Sequence, residues 1–301
     1  MKKHLLIALS AALALALSAR AAVKSNTQPS AIAIKDGQTL AFLGDSITAF
    51  GSGPGAPSGF VNLVISGLNT SGLKITPLPA GIKRHTSGKL AGRIGVDVIA
   101  KKPDWVIIQC GINDVGGGAQ PVPAEQFIKN ISGMVDQCQA AKIEVMLLTV
   151  TMFTEDQNHA NNQKLVAYNE SIRALAKDKH CLLADVNPLM QAAVKLPDGA
   201  PVVTPQPHRV ADDGIHLNSI GHQVMAGCIL KAFGLTDAQL QAAKAKWGDI
   251  PNVMKVRGVV PLSLRQVNAL EAVAKQRNQS IADLANKADA KTWEDLIKGA
   301  H

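Results

Sequence analysis

From residue 39 onward, short apolar runs alternate with longer stretches whose apolar positions recur at helical spacing, the pattern of a parallel sheet covered by helices. It predicts strands over residues 40–43, 75–78, 105–109, 145–150 and 181–184. Helices are predicted over residues 60–68, 91–100, 124–141, 162–176 and 219–233. The second strand contains Pro77 and Pro79, and a strand proline is tolerated only where its missing N–H faces no neighbour. That strand therefore belongs at a sheet edge. A strand order of 2-1-3-4-5 puts it there and directs function to the carboxyl ends of the first and third strands.

The two ends of the chain read differently. Lys2, Lys3 and His4 form a cationic start, residues 5–17 an apolar run, and Ala19-Arg20-Ala21 a small-x-small cleavage site, which together make a signal peptide over residues 1–21. The apolar run is too short to span a bilayer about 30 Å thick. The expectation is an exported chain, periplasmic or secreted, with no stable membrane insertion. Behind residue 234 the pattern changes to capped helices. Thr236-Asp237-Ala238-Gln239, Ser263-Leu264-Arg265-Gln266 and Ser280-Ile281-Ala282-Asp283 each resemble a capping box, and Val267, Leu270, Val273 and Ala274 form a helical stripe. The chain thus divides into a signal peptide, an α/β domain over residues 30–234 and a helical extension over 235–301. A short extended run over residues 256–260 before two helices resembles a dimerisation module. The expectation is nevertheless an appendage packed on the α/β domain, with a homodimer through these helices as the alternative.

Composition removes several classes of function. The 301 residues are 47% hydrophobic, enough for a sizeable core. The formal charge of +8 falls to +5 behind the leader, which is no nucleic-acid signature. Aromatic residues make up only 3%, so neither base-stacking platforms nor extensive aromatic sugar clefts are expected. Cys110, Cys138, Cys181 and Cys228 lack the close spacing of a zinc or thioredoxin-like motif, and read as buried small residues with at most one bridge.

The reactive residues fall at strand ends. The first strand runs into Gly44-Asp45-Ser46-Ile47-Thr48, the third into Gly111-Ile112-Asn113-Asp114, and a late loop carries Asp212-Asp213-Gly214-Ile215-His216. A serine nucleophile needs a base within hydrogen-bond reach, and the base needs a third group to fix its tautomer. Asp213 and His216, three residues apart in one turn, can supply both, and Ser, Asp, His is a workable chain order. A serine after a strand is more often a helix cap, so the constellation carries the argument and no single residue does.

These three blocks resemble those of the SGNH or GDSL hydrolases, esterases and lipases built on a flavodoxin-like three-layer α/β/α sandwich with a five-stranded parallel sheet. The resemblance spans roughly residues 39–233. It implies that Ser46 is the nucleophile, His216 the general base and Asp213 its orienting carboxylate, and that the Ser46 N–H and the Asn113 amide are oxyanion donors. Asp45, Gly81 and His85 in the same blocks are candidates for substrate contact, while Tyr168 and Asn169 are assigned packing only. One departure stands out: in Ala80-Gly81-Ile82-Lys83-Arg84, Arg84 occupies the position of a glycine that supplies a further oxyanion N–H. Any residue but proline keeps that donor, although a positive φ would cost arginine about 1–2 kcal/mol. The Arg84 side chain is expected either to point into the cleft and favour anionic substrates or to lie on the surface.

The implied activity is cofactor-free ester hydrolysis by acyl transfer, best suited to short acyl esters such as acetylated carbohydrates. A lysophospholipase- or thioesterase-like enzyme and a catalytically weak glycan-binding relative are the alternatives. No Gly-x-Ser-x-Gly elbow is present, Leu73 replaces the lysine a phosphate loop needs after Gly72, and Gly51-Ser52-Gly53-Pro54-Gly55 is a proline-broken dinucleotide fingerprint. His85, His216 and His222 lack recognisable metal spacing, so no metal or cofactor is expected.

Overall fold

Apolar runs become central strands where helices cover both of their faces. The computed structural model describes residues 31–116, 121–195, 209–256, 258–281 and 284; the leader expected over residues 1–21 lies outside them. Strands β1 (Thr39–Gly44), β3 (Trp105–Gln109) and β4 (Glu144–Leu148) are buried along nearly their whole length. β2 (Thr76–Gly81) and β5 (Leu182–Ala184) form the edges of an all-parallel sheet in the order β2-β1-β3-β4-β5. Pro77 and Pro79 sit on the edge strand, opposite Leu40 and Phe42.

Helices fill both faces. α1 (Ser46–Phe50) follows β1 directly, and α2 (Phe60–Thr70) precedes β2. α3 (Ser87–Asp97) leads to β3, α4 (Ile112–Gly116) follows it, and α5 (Ala124–Ala140) precedes β4. α6 (Ala160–Asp178), α7 (Val186–Val194) and α8 (Ser219–Ala232) complete the α/β part. α3, α5 and α6 pack side by side as one layer, and α2, α8 and α7 as the other.

Several boundaries differ from the periodicity, two of them for clear local reasons. β4 stops at Leu148 and not at residue 150, because the Asn169 side chain replaces the ladder: its Oδ1 accepts from Val150 N at 2.7 Å and its Nδ2 donates to Val150 O at 3.3 Å. α3 begins at Ser87, four residues earlier than expected, because the Asp114 carboxylate accepts the Ser87 N–H and so satisfies one of the donors that a helix start leaves unpaired.

The carboxyl end of the sheet is unusually close-fitting. Gly44 and Gly81 are paired across β1 and β2, and a Cβ on Gly81 would lie 2.4 Å from the Ala49 nitrogen. Only glycine lets α1 lie this close to the edge strand.

Beyond α8, α9 (Asp237–Trp247) packs on α2 and α8 and starts with a full capping box between Thr236 and Gln239. β6 (Pro251–Val256) and β7 (Gly258–Ser263) pair as an antiparallel hairpin, so the run expected over 256–260 is divided between two strands. α10 (Leu264–Gln276) follows, capped by Ser263 and Gln266, and its buried stripe is Val267, Leu270, Val273 and Ala274. The expected helix start at residues 280–283 lies only partly within the described residues. Cys110, Cys138 and Cys228 are buried, Cys181 is half-buried, and all four are free thiols. Among the described residues no helix is long and apolar enough to cross a membrane.

The close approach gives a paired test. Gly81→Ala is expected to lose about 1–3 kcal/mol of unfolding free energy through overpacking. Gly92→Ala, on the exposed side of α3 with open space around it, is expected to gain up to about 1 kcal/mol. Urea unfolding of both variants checks the opposite signs.

Candidate active site

Ser46 is the first residue of α1, and Asp45 caps that helix by accepting the Ile47 N–H at 2.9 Å. The cap fixes the turn that carries the serine. Across the site, residues 209–218 form a closed loop: Asp212 N donates to His216 O at 2.7 Å, Asn218 N to Val210 O at 3.0 Å, and Ala211 bridges Leu217. At its tip, Asp213 Oδ1 accepts the backbone N–H groups of Ile215 and His216, at 3.0 and 2.8 Å. Gly214 supplies the positive φ of +88° that this tight turn uses.

The two segments meet at one point. His216 Nε2 lies 2.9 Å from Ser46 Oγ, and His216 Nδ1 lies 2.7 Å from Asp213 Oδ2. A neutral imidazole held through Nδ1–H by a carboxylate presents its Nε2 lone pair to the serine hydroxyl. Burial alone would raise the Asp213 pKa, but the hydrogen bonds from the His216 ring and from two backbone N–H groups outweigh it and hold the carboxyl below its ordinary range.

The other sequence candidates divide. Asn113, on α4, is brought to the loop after β2, where its Nδ2 donates to His85 O at 3.0 Å. The Asp114 carboxylate accepts the Ser87 N–H and the Ser87 hydroxyl and so ties that loop to the end of β3. Arg84 is exposed and adopts φ +63°, the left-handed conformation that glycine takes most readily. His85 accepts at Nδ1 from Arg93 Nε at 3.1 Å; burial, then the charges of Arg93 and Lys89, lower its pKa. Gly81 is half-buried against α1. Asp45 is a correction: it is fully buried beneath the serine, capping α1 and contacting Gln109, so its carboxylate has no surface to offer a substrate.

Several residues that shape the site carry no sequence signal. Arg93 reaches from α3 to Gly44 O at 2.8 Å and to Asp97 at 2.7 Å. Gln109 accepts from Thr48 Oγ1 at 2.9 Å beneath α1. Phe50 packs edge-on against the His216 ring, centroids 5.1 Å apart, with the Lys83 ammonium 4.3 Å from its own centroid. Glu155 holds the base of the histidine loop. Only helical periodicity places Arg93 at all, and the remainder depend on tertiary approach. His222 stays away from this chemistry, buried and stacked on Phe60 with its pKa pushed down to about 4 by burial. Among the described residues no group of three His, Cys, Asp or Glu side chains could hold a metal ion.

The GDSL-like lipase/acylhydrolase family model matches residues 42–224. An acetylxylan esterase from Geobacillus stearothermophilus is 26% identical over 218 residues, 67% of this chain and 96% of that protein. The solved structure of Axe2, an acetylxylan esterase from the same organism, superposes with a TM-score of 0.60 at 25% identity, over 68% of this chain and 97% of the esterase. Variants of it described as catalytic mutants replace a serine, a histidine and an aspartate by alanine. LAE5, an α/β hydrolase from the metagenome of Lake Arreo, matches with a TM-score of 0.59 at 27% identity, over 67% and 98% of the two chains.

Burial pushes the Asp45 carboxyl from its ordinary 3.8 up to about 7, opposed by the Ile47 N–H and Gln109 and reinforced by the charge of Asp114. Between these two values the unfolded chain ionises while the folded one holds its proton, so this group favours the fold at low pH. That contribution is withdrawn as pH rises from about 4 to about 7, by on the order of 4 kcal/mol. Asp45→Asn keeps a good cap and removes the titration. Its stability relative to the parent should therefore rise between pH 4 and pH 7 in urea unfolding; parallel pH curves would refute the assignment.

Proposed function

Because the chain belongs to the GDSL-like lipase/acylhydrolase family, and so is a carboxylic ester hydrolase, we propose that it is an exported serine esterase that releases short acyl groups, acetyl foremost, from carbohydrate esters. The observation that carries the reading is the unbroken hydrogen-bond chain from Ser46 through His216 to Asp213. These are the residue types replaced in the catalytic mutants of the Geobacillus esterase.

In this mechanism His216 Nε2 takes the proton of Ser46 as Oγ attacks the ester carbonyl, and the imidazolium that forms is stabilised by Asp213. The tetrahedral oxyanion is met by backbone N–H groups and an amide. Ser46 opens α1, so its N–H has no intrahelical acceptor. Asn113 has two amide N–H donors and His85 O takes one, while the Arg84 N–H is the third candidate donor. The C–O bond to the alcohol then breaks, and the alcohol leaves with the proton from His216. Water, deprotonated by His216, attacks the acyl-serine, releases the carboxylic acid and restores the serine hydroxyl.

Among the described residues, Phe50 and Ile82 are the exposed large apolar side chains beside Ser46 and the loop after β2, a small surface that supports an acetyl group over a long acyl chain. Lys83 and Arg84 give the rim positive charge, which supports preference for an alcohol bearing an anion. Export rests on the cationic and apolar leader and its small-x-small site. N-terminal sequencing of the chain from a secreting host is expected to begin near Ala22.

Ser46→Ala should abolish hydrolysis of p-nitrophenyl acetate, and Asp213→Asn should lower kcat by about 10²–10⁴. Acetate esters should exceed octanoate esters in kcat/KM by at least about tenfold. The reverse order favours a lysophospholipase- or thioesterase-like enzyme, and xylan binding without turnover favours a glycan-binding relative.

Arg84→Gly relieves the left-handed strain and should stabilise the fold by about 1 kcal/mol. A rate gain confined to neutral esters supports a cleft role for the guanidinium. Unchanged rates for neutral and anionic esters reject it.

A further inference from the structure

Asp213 lies in the same turn as His216, so it can orient the imidazole within that turn but cannot fix where the turn sits relative to Ser46. Something at the base of the loop must do that, and the structure supplies a buried carboxylate. Glu155, in the loop between β4 and α6, is 4% exposed. Its Oε1 accepts from Arg209 N at 2.8 Å, Val210 N at 2.7 Å and Ala211 N at 3.1 Å, and its Oε2 accepts from Arg209 N at 2.7 Å. Three successive backbone N–H groups converging on one anion form a nest that fixes the local backbone. The returning strand is tied to the same place, since Asn218 Nδ2 donates to Arg209 O at 3.1 Å while Asn218 Oδ1 caps α8.

The Arg209 side chain extends the clamp. It is almost wholly buried, and its Nη1 lies 3.9 Å from Oε1 of Glu271 on α10, which Lys275 also approaches at 3.7 Å. α10 is joined to α8 by reciprocal hydrogen bonds between Gln223 and Asn268, at 3.0 and 3.1 Å. The family model ends at residue 224, so α10 lies outside the segment the family shares.

We propose that Glu155 is the positioning residue that sets the His216–Ser46 distance, and that the Arg209–Glu271 pair makes α10 of the extension part of the same support. The proposal rests on the Ser46 and His216 chemistry proposed above. A displacement of about 1 Å between reacting groups can cost on the order of 10² in rate, whereas substrate binding elsewhere is untouched.

The test uses the full chain with p-nitrophenyl acetate and an organophosphonate that labels Ser46. Glu155→Gln, which turns one acceptor into a donor facing N–H groups, should lower kcat and the labelling rate together by about 10- to 100-fold at unchanged KM. The apparent pKa in kcat/KM should stay at the parental value, because Asp213 still holds the imidazole. Asp213→Asn should move it. Glu155→Asp, which restores the charge, should recover part of the rate. A folded Glu155→Gln with kcat within twofold of the parent overturns the positioning role, as does a loss that only tracks the fraction of folded protein. Should the Glu155 variants fail to fold, Glu271→Gln is read in their place: a three- to tenfold fall in kcat at constant KM is expected, and an unchanged kcat overturns the clamp. Ser46→Ala separates the two readings. An active Ser46→Ala sinks the esterase chemistry and the positioning role with it, while an inert Ser46→Ala beside a fully active Glu155→Gln sinks the positioning role alone.

Discussion

A hydroxyl and an imidazole separated by 170 positions in the chain are held at hydrogen-bond distance, 2.9 Å. The proposed mechanism needs them within such reach for a proton to pass between them. Most of the architecture at the carboxyl end of the sheet serves this requirement. Gly44 and Gly81 let the serine-bearing α1 lie against β2, and the Asp45 cap fixes the turn from which Ser46 projects. Arg93 braces the Gly44 carbonyl from below, and Asp114 fastens the loop after β2 to the end of β3. The serine side is therefore built on sheet and helix. The histidine side is a loop, and rigidity there comes from its own short hydrogen bonds and from the carboxylate at its base.

Much of this is legible in the sequence, and for identifiable reasons. Strand and helix periodicities reflect burial, which is a property of many residues at once, so single irregularities do not erase them. Pro77 and Pro79 disclose the edge strand because a missing donor has only one tolerable place in a parallel sheet. Ser46, Asp213 and His216 can be singled out because their chemistry has few partners and each follows a turn-forming segment. What stays hidden depends on approach through space. Nothing in a helical pattern tells that Arg93 will reach Gly44, or that a glutamate five residues ahead of α6 will meet the backbone of residues 209–211. Asp45 illustrates the converse. Its neighbour Ser46 meets His216, yet the cap that positions Ser46 turns the carboxylate inward and buries it.

The buried carboxylates are accommodated in different ways. Asp114 is met by the Ser87 N–H and hydroxyl and Glu155 by three backbone N–H groups, Asp45 keeps its proton up to about pH 7, and Glu271 faces the cations Arg209 and Lys275. Burying a charge is tolerable when such donors replace its water. The donors around Glu155 belong to the backbone, so the anion in turn fixes the backbone. The two roles, solvating a buried anion and stiffening a loop, are performed by the same bonds.

The nest around Glu155 has one more consequence. Its grip on residues 210 and 211 is made through the main chain, so the identity of the side chains there is immaterial to it, and every amino acid except proline offers the same donor. Val210 and Ala211 are buried, so packing limits what can stand there, but any residue other than proline that the core accepts leaves the anchor intact. The burden of heredity falls on a single acidic residue far upstream, whose loss no local change near the histidine could repair.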